Sequence, residues 1–186
     1  IDIGVKNKYE SLDNIQADLL VNSLGISTPP STYVNTLDEA LVFSEHHQFP
    51  VVLKISGAGL VHKKSLGGVF KDINDATALR TAFKELSILV KELSSKKSGS
   101  SGEYKIQIQK QITNGIEAIV GIKKDLVFGD FILFGTGGSY VEIIDDKNIK
   151  VLPLDLNNAQ NLIEGSKFFK ILKKENFSVN TLANAL

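Results

Sequence analysis

The sequence predicts an α+β fold built as two lobes, and three observations carry that prediction. Apolar residues recur at three- and four-residue spacing near both ends of the chain. Short β-branched or alternating runs fill the middle, and in the second half these runs follow one another with no helix between them. A doubly wound parallel sheet would need a helix between successive strands, so it is not the expected architecture.

From Tyr9 to Leu24 the residues Leu12, Ile15, Leu19, Leu20 and Leu24 keep helical spacing, and Gly25 stands where a C-terminal cap belongs. Ile26 to Pro30, with two prolines, reads as an extended turn. Thr36 caps a second helix, Leu37 to His47, whose first turn holds Asp38 and Glu39. Val51 to Ile55 is a buried strand opened by Pro50 and broken by the serine and glycines of 56–59. After Gly67-Gly68 come a strand, Val69 to Ile73, and a long helix, Asp75 to Leu93, with Leu79, Phe83, Leu86 and Val90 on one face.

Ser94 to Gly102 is a serine-, lysine- and glycine-rich loop. Tyr104 to Ile112 alternates as a half-buried strand does, Asn114-Gly115 turns the chain, and Ile116 to Lys123 resumes strand character. Phe131 to Phe134, Tyr140 to Ile144 and Ile149 to Leu152 add three short strands. Asn157 to Lys174 and Val179 to Leu186 close the chain as helices.

Composition narrows the function classes. With 186 residues, 42% hydrophobic and 23% charged, the chain is long enough to bury a real core. Basic and acidic residues balance at 21 each, and the one lysine-rich stretch has no interleaved aromatics, so no nucleic-acid partner is expected. The absence of cysteine excludes disulfides and thiolate metal sites. No apolar run approaches the roughly 20 residues of a membrane helix, and Ile1-Asp2-Ile3-Gly4 is no signal sequence, so the expectation is a soluble cytoplasmic protein with no membrane partner. Even the initiator methionine is missing, and the chain reads as a fragment of a longer protein.

Phosphate chemistry concentrates between Pro50 and Val69. Lys54 lies inside an apolar strand, where a lysine must snorkel outward or meet an anion. Flanking glycines let backbone N–H groups approach a phosphate, and His62 precedes Lys63 and Lys64 in a small positive cluster. Residue type alone also allows plainer readings: Lys54 as an edge-strand lysine that blocks aggregation, and His62 as a surface loop residue.

The string Pro50-Val-Val-Leu-Lys-Ile55, then His62-Lys63, then Gly67-Gly-Val69, resembles the ATP-grasp domain of NDP-forming acyl-CoA synthetases. That group includes ADP-forming acetyl-CoA synthetase and is related to the succinyl-CoA synthetase β subunit. The resemblance runs on through Leu24-Gly25-Ile26, Gly115-Ile-Glu117, Val120-Gly121, Phe128-Gly129, Phe134-Gly-Thr-Gly-Gly-Ser-Tyr-Val-Glu142 and Val151-Leu-Pro-Leu154. It covers most of the chain with ordered motifs in register.

The resemblance implies an ATP-grasp fold over residues 1–186, with the nucleotide site between a smaller lobe at about 50–110 and a second lobe at about 111–174 on which the N-terminal helices pack. It implies that Lys54 holds the phosphates of ATP or ADP with help from Ser56, that Gly67 and Gly68 fold a loop over them, and that Lys63 balances charge. His62 would accept a phosphoryl group, a task that suits a neutral imidazole nitrogen near pH 7.

Gln109, Lys110, Gln111 and Ile112 correspond to the hinge that meets the adenine edge, and Glu117 to a ribose or metal-water contact, although an exposed strand carboxylate describes Glu117 equally well. Glu142 and Asp146 correspond to Mg2+ ligands, whereas the plain reading of Asp145-Asp146-Lys147-Asn148 is a polar hairpin turn. The implied substrates are an acyl-CoA and phosphate, and the implied partner is a CoA-binding subunit or domain. The chain departs from the family pattern at Lys110, where an acidic residue or proline is common, at Lys150, where an arginine is expected, and near 173–177, where an Arg-Gly pair is missing. These losses favour the alternative of a degenerate, ligand-sensing domain of a protein-lysine acetyltransferase; the presence of Lys54, His62, Glu117 and Glu142 opposes it.

Overall fold

The computed structural model describes residues 12–57, 60, 65–96, 104–138 and 146–186. The chain divides into two compact units, Ile1–Thr113 and Asn114–Leu186. Among the described residues each unit is an antiparallel sheet with helices, an α+β architecture.

The first unit runs α1 (Asn14–Ser23), β1 (Ser31–Val34), α2 (Leu37–His47), β2 (Val51–Ser56), β3 (Val69–Ile73), α3 (Ala76–Lys96) and β4 (Lys105–Lys110). Its strands lie in the order β1-β4-β2-β3, so β2 and β4 are interior. Local chemistry explains the helix starts. Asp13 accepts from the backbone N–H of Gln16 (2.9 Å) while Gln16 Oε1 accepts from that of Asp13 (3.1 Å), a reciprocal capping box. Thr36 Oγ1 accepts from Glu39 N (3.2 Å), as expected of a cap on α2.

The helix expected from Tyr9 begins at Asn14 in the described residues and buries none of its side chains; Leu19 stays 58% exposed. The strand β1 was not anticipated. Its four residues follow a Pro-Pro pair and are too few to show a period, and what makes them a strand is pairing with β4, extended by Lys110 N donating to Pro30 O (2.9 Å).

Val51, Leu53 and Ile55 of β2 and Ile106 and Ile108 of β4 turn one face of the sheet onto Ala40 and Phe43 of α2 and Leu79, Ala82 and Leu86 of α3. Each of the larger side chains contributes about 1.5–3 kcal/mol by leaving water. This core makes α2 a member of the first unit. Phe43 shares its core with Val51, and Asn14 of α1 donates to Gln107 of β4 (2.7 Å), because the β1–β4 ladder carries both helices into the first unit.

The second unit runs β5 (Ala118–Asp125), β6 (Gly129–Thr136), β7 (Lys147–Val151), α4 (Leu156–Glu164), α5 (Phe168–Lys174) and α6 (Val179–Ala183). The strands form the meander β5-β6-β7, and Ile132 and Phe134 of β6 bury against Leu162, Ile163, Phe168 and Leu172. The Phe134 and Phe168 rings meet edge to face with centroids 5.7 Å apart. The expected strand Tyr140 to Ile144 lies outside the described residues.

The single helix expected over 157–174 is two helices. The chain turns at Gly165-Ser166, where the Ser166 hydroxyl donates to Ile163 O and accepts from Phe169 N, ending one helix and starting the next. At the other end of the unit, the β5–β6 turn leaves Leu126, Val127 and Phe128 exposed at 98%, 82% and 73%. Asp125 Oδ1 fixes this turn by accepting from Val127 N (2.8 Å) and Phe128 N (2.9 Å), and those bonds hold its carboxyl below the ordinary carboxylate range. No helix among the described residues is long and apolar enough to cross a membrane.

Candidate functional site

The face of the first sheet opposite α2 and α3 is polar, and strand alternation assembles it. Antiparallel register sets Val52 beside Gln109, Lys54 beside Gln107 and Ser56 beside Lys105. Residues two apart share a face, so Lys54, Ser56, Lys105, Gln107 and Gln109 all project from this side. Lys54 Nζ donates to Gln109 Oε1 at 2.9 Å. Because β2 is interior, the edge-lysine reading of Lys54 does not hold; the lysine is a cation fixed on a rigid strand.

Gln107 breaks the half-buried alternation expected of β4, being 0% exposed. Its amide is satisfied on both sides: Oε1 accepts from Asn14 Nδ2 (2.7 Å), and Nε2 donates to Ser31 Oγ (3.0 Å), which in turn donates to Asp18 Oδ2 (2.9 Å). The Ser56 hydroxyl, 2% exposed, pairs with the Tyr33 hydroxyl at 3.1 Å, and Lys105 Nζ stands 5.4 Å from the centre of the Tyr33 ring. Burial, above all, pushes the Tyr33 phenol above its ordinary value; the Ser56 bond opposes this and the charge of Asp13 adds to it, so the phenol keeps its proton at neutral pH.

The residues expected at the hinge are largely occupied by structural contacts. The Lys110 ammonium donates to the carbonyls of Gln48 and Phe49, both at 3.0 Å, and its N–H reaches Pro30 O. Gln111 N donates to Pro50 O (3.1 Å). Its side chain clamps Asp72, accepting from Asp72 N (2.7 Å) and donating to Asp72 Oδ1 (2.6 Å). Asp72 has φ 56° and sits where the β2–β3 register shifts, so the clamp holds a strained bulge. Gln111→Ala is expected to lower stability by about 1–2 kcal/mol, seen as a lower thermal midpoint. Ile112 is 64% exposed.

The expected phosphate loop is only partly described. Gly67 adopts φ 67°, a conformation that favours glycine, and Gly68 O accepts from Ile55 N (2.9 Å), tying the end of the loop to β2. His62 and Lys63 lie outside the described residues, as does Glu142.

In the second unit Glu117 is exposed on the residue before β5, and its carbonyl accepts from Gly137 N (2.6 Å). The glycines beyond β6 are dictated by close backbone approach. A Cβ on Gly137 would stand 2.7 Å from the Ala118 carbonyl carbon, and one on Gly135 would collide with the Asp146 carbonyl oxygen.

Asp146 does not behave as an open metal ligand. Its side chain is buried, at 5% exposure. Its Oδ2 accepts from Thr136 Oγ1 (2.8 Å), Phe168 N (2.9 Å) and Thr136 N (3.2 Å), while Oδ1 accepts from Lys167 N (2.7 Å). Four donors match the roughly four lone-pair positions of a carboxylate, so the residue anchors the start of α5 to the end of β6. Burial acts to raise its pKa, but the bonds from Lys167, Thr136 and Phe168 together outweigh it and hold the carboxyl below its usual value. The carboxylate expected as a metal ligand, or as part of a plain polar turn, is thus engaged in these four bonds. Among the described residues no group of three or more His, Cys, Asp or Glu side chains could hold a metal ion.

A groove of about 490 Å³ in this unit, lined by Ile116, Ala118, Phe168, Leu172, Phe177 and Leu182 among others, carries none of the sequence-predicted site residues. The participants that sequence reasoning passed over are Tyr33, Lys105 and Gln107. The period of two through Lys105, Gln107 and Gln109 was a signal for the last two, whereas Tyr33 belongs to the unanticipated strand.

The chain is 30% identical over 158 residues to the ADP-forming acetate–CoA ligase II of Archaeoglobus fulgidus, a match covering 85% of this chain and 22% of that protein. It is 28% identical over 157 residues to subunit beta of the ADP-forming acetate–CoA ligase II of Pyrococcus furiosus, covering 84% of this chain and 65% of that subunit. The chain thus spans about a fifth of the one relative and just under two thirds of the other.

Among solved structures it is similar to dinucleotide forming acetyl-coenzyme A synthetase 1 of Ca. Korarchaeum cryptofilum in complex with coenzyme A, Ca-AMPCP and HgCl+. That likeness has a TM-score of 0.83 and 30% identity, and covers 98% of this chain and 80% of that one. Residues 5–186 match the family model described as the ATP-grasp domain, and with nearly the whole length accounted for, the chain belongs to the ATP-grasp domain family.

Proposed function

We propose that this chain is the nucleotide-binding half of an ADP-forming acyl-CoA synthetase, which converts acid, CoA and ATP to acyl-CoA, ADP and phosphate, reversibly. The observation that carries the reading is Lys54, a cation set on an interior strand and oriented by Gln109 on the polar face of the first sheet. A charge held by a rigid element needs little reorganisation when phosphate arrives. The names of the similar proteins support the same reaction, and since those compared are ligases they do not favour the ligand-sensing alternative.

In this reading Lys54 and Ser56 hold the phosphates of ATP or ADP, Gly67 and Gly68 let the loop close over them with Lys63 adding charge, and the segment from Gln109 to Ile112 borders the base. Since Lys110 and Gln111 are committed to structural contacts, Gln109 and Ile112 carry most of that border. Glu117 contacts the ribose. An imidazole nitrogen of His62 takes the phosphoryl group from a phosphohistidine of the CoA-binding half, one P–N bond forming as the other breaks, and passes it to a terminal oxygen of ADP, so that the new P–N bond breaks as the P–O bond forms.

Mg2+ enters with the nucleotide; a similar synthetase was solved with Mg-AMPPCP. Bound there, the ion would neutralise phosphate charge, with Glu142 as its protein ligand and Asp146 excluded by its own hydrogen bonds. Acyl-CoA and phosphate are turned over with a CoA-binding subunit or domain, in the cytoplasm where nucleotide and CoA pools lie.

The first test is thermal. ATP with magnesium at about a hundredfold above its dissociation constant should raise stability by about 2.7 kcal/mol, a midpoint shift of about 5–10 °C. No shift at millimolar nucleotide would sink the reading. The second test is chemical: labelled ATP and a CoA-binding partner should leave acid-labile, base-stable label on the chain. Label of that kind that persists unchanged in His62→Ala removes the histidine from the mechanism.

A further inference from the structure

The polar face has two distinct ends, and their separation measures a ligand. Gln109, Gln107 and Lys105 follow one another along β4 on the same side, two residues apart, so Lys105 lies about 13 Å along the strand from Gln109. That span is comparable with an extended nucleoside triphosphate measured from its base. Lys54, on the level of Gln107, leans back toward the Gln109 end through its 2.9 Å bond.

The far end is differently equipped. There Ser56 sits beside Lys105 in register, and the Tyr33 side chain, rooted in β1, crosses β4 to place its hydroxyl 3.1 Å from Ser56 Oγ. One ammonium and two hydroxyls therefore meet at the point where β2 gives way to the segment that carries His62, six residues past Ser56. Lys105 is exposed, and its ammonium rests 5.4 Å from the Tyr33 ring centre, a loose hold that a phosphate can replace. Among the described acidic groups on this side, the Asp13 carboxylate caps α1 through Gln16 N and that of Asp18 accepts from Ser31 Oγ.

We propose that Lys105, beside the paired hydroxyls of Tyr33 and Ser56, receives the terminal phosphoryl group of the nucleotide, leaving the inner phosphates to Lys54. This rests on the nucleotide reading above and adds a direction to it: the base lies at the Gln109 end and the transferable phosphate at the Lys105 end. Lys105 is a substrate contact that discriminates by phosphate number, and its charge must be present for that discrimination.

The experiment is a titration of the chain with ATP, ADP and AMP in magnesium, read by calorimetry, for the wild type, Lys105→Ala, Lys105→Arg and Lys54→Met. Lys105→Ala should weaken ATP binding about tenfold, as expected for one charge-assisted contact, and leave AMP unchanged. Lys105→Arg should restore most of the loss. Equal loss for ATP and AMP, or ATP binding untouched by Lys105→Ala, would overturn the assignment while the nucleotide reading stands. A wild type that binds none of the three overturns both. Because Lys105 is exposed, its replacement leaves the core as it is.

Discussion

Asp146→Ala is expected to destabilise the second unit by about 3–5 kcal/mol, because it removes one acceptor and strands several donors at once. The carboxylate serves Lys167 N and Phe168 N at the start of α5 and Thr136 N and Oγ1 at the end of β6. Alanine leaves these groups to whatever water can enter a site where the native side chain is 5% exposed. At the start of α5 this leaves the Ser166 hydroxyl, which accepts from Phe169 N, as the remaining side-chain acceptor, since Lys167 provides no cap of its own. Circular dichroism melts should show the midpoint falling by about 10 °C.

The pH dependence gives the same prediction a sign. The Asp146 pKa is depressed in the folded state, so its stabilisation is fully present above the ordinary carboxyl value of about 3.9 and is lost as pH falls through the lower folded value. The stability gap between the wild type and Asp146→Asn should therefore be constant near neutrality and close in strong acid. A gap that widens as the solution is acidified would contradict the hydrogen-bonded carboxylate.

Lys54→Met should cost about 2 kcal/mol or more in nucleotide affinity, at least thirtyfold in Kd, for ATP and ADP alike. Methionine keeps the length and apolar stem that pack among β2, β3 and β4, so the fold should persist and the loss should read as binding alone. The Gln109 side chain tests the same contact from the other partner. Gln109→Ala removes this partner of the ammonium without removing its charge and should weaken binding less than Lys54→Met does. If Lys54→Met binds ATP as the wild type does, the polar face of the first sheet is not the phosphate site.

Much of the first unit was legible in the sequence because its signals are local. Thr36 announces α2, Pro50 and the β-branched run announce β2, and the stripe through Leu79, Phe83 and Leu86 announces α3. What escaped depends on partners distant along the chain. The strand β1 exists because β4, some 75 residues later, pairs with it. Gln107 is buried because Asn14 and Ser31 satisfy it across separations of 93 and 76 residues.

Lys54 was singled out by being a cation in an apolar run, but its orientation toward Gln109 is a contact across 55 residues that no window reveals. Asp146 misled in the opposite direction. Asp-Asp-Lys-Asn reads as a solvent-facing turn, and only the return of the chain at Thr136 and Phe168 converts one of its carboxylates into a buried anchor. The break between α4 and α5 was hidden because apolar spacing continues across Gly165-Ser166 while the backbone does not.

The β5–β6 turn offers a practical opening. Its geometry is set by the Asp125 side chain and by Gly129 at φ 81°, while the three side chains it presents lie outside the core of their unit. The chain has no cysteine. A cysteine in place of Val127 would be the sole thiol in these 186 residues, a single address for a dye or spin label at a point whose backbone is pinned, from which the movements of this unit on addition of nucleotide could be followed.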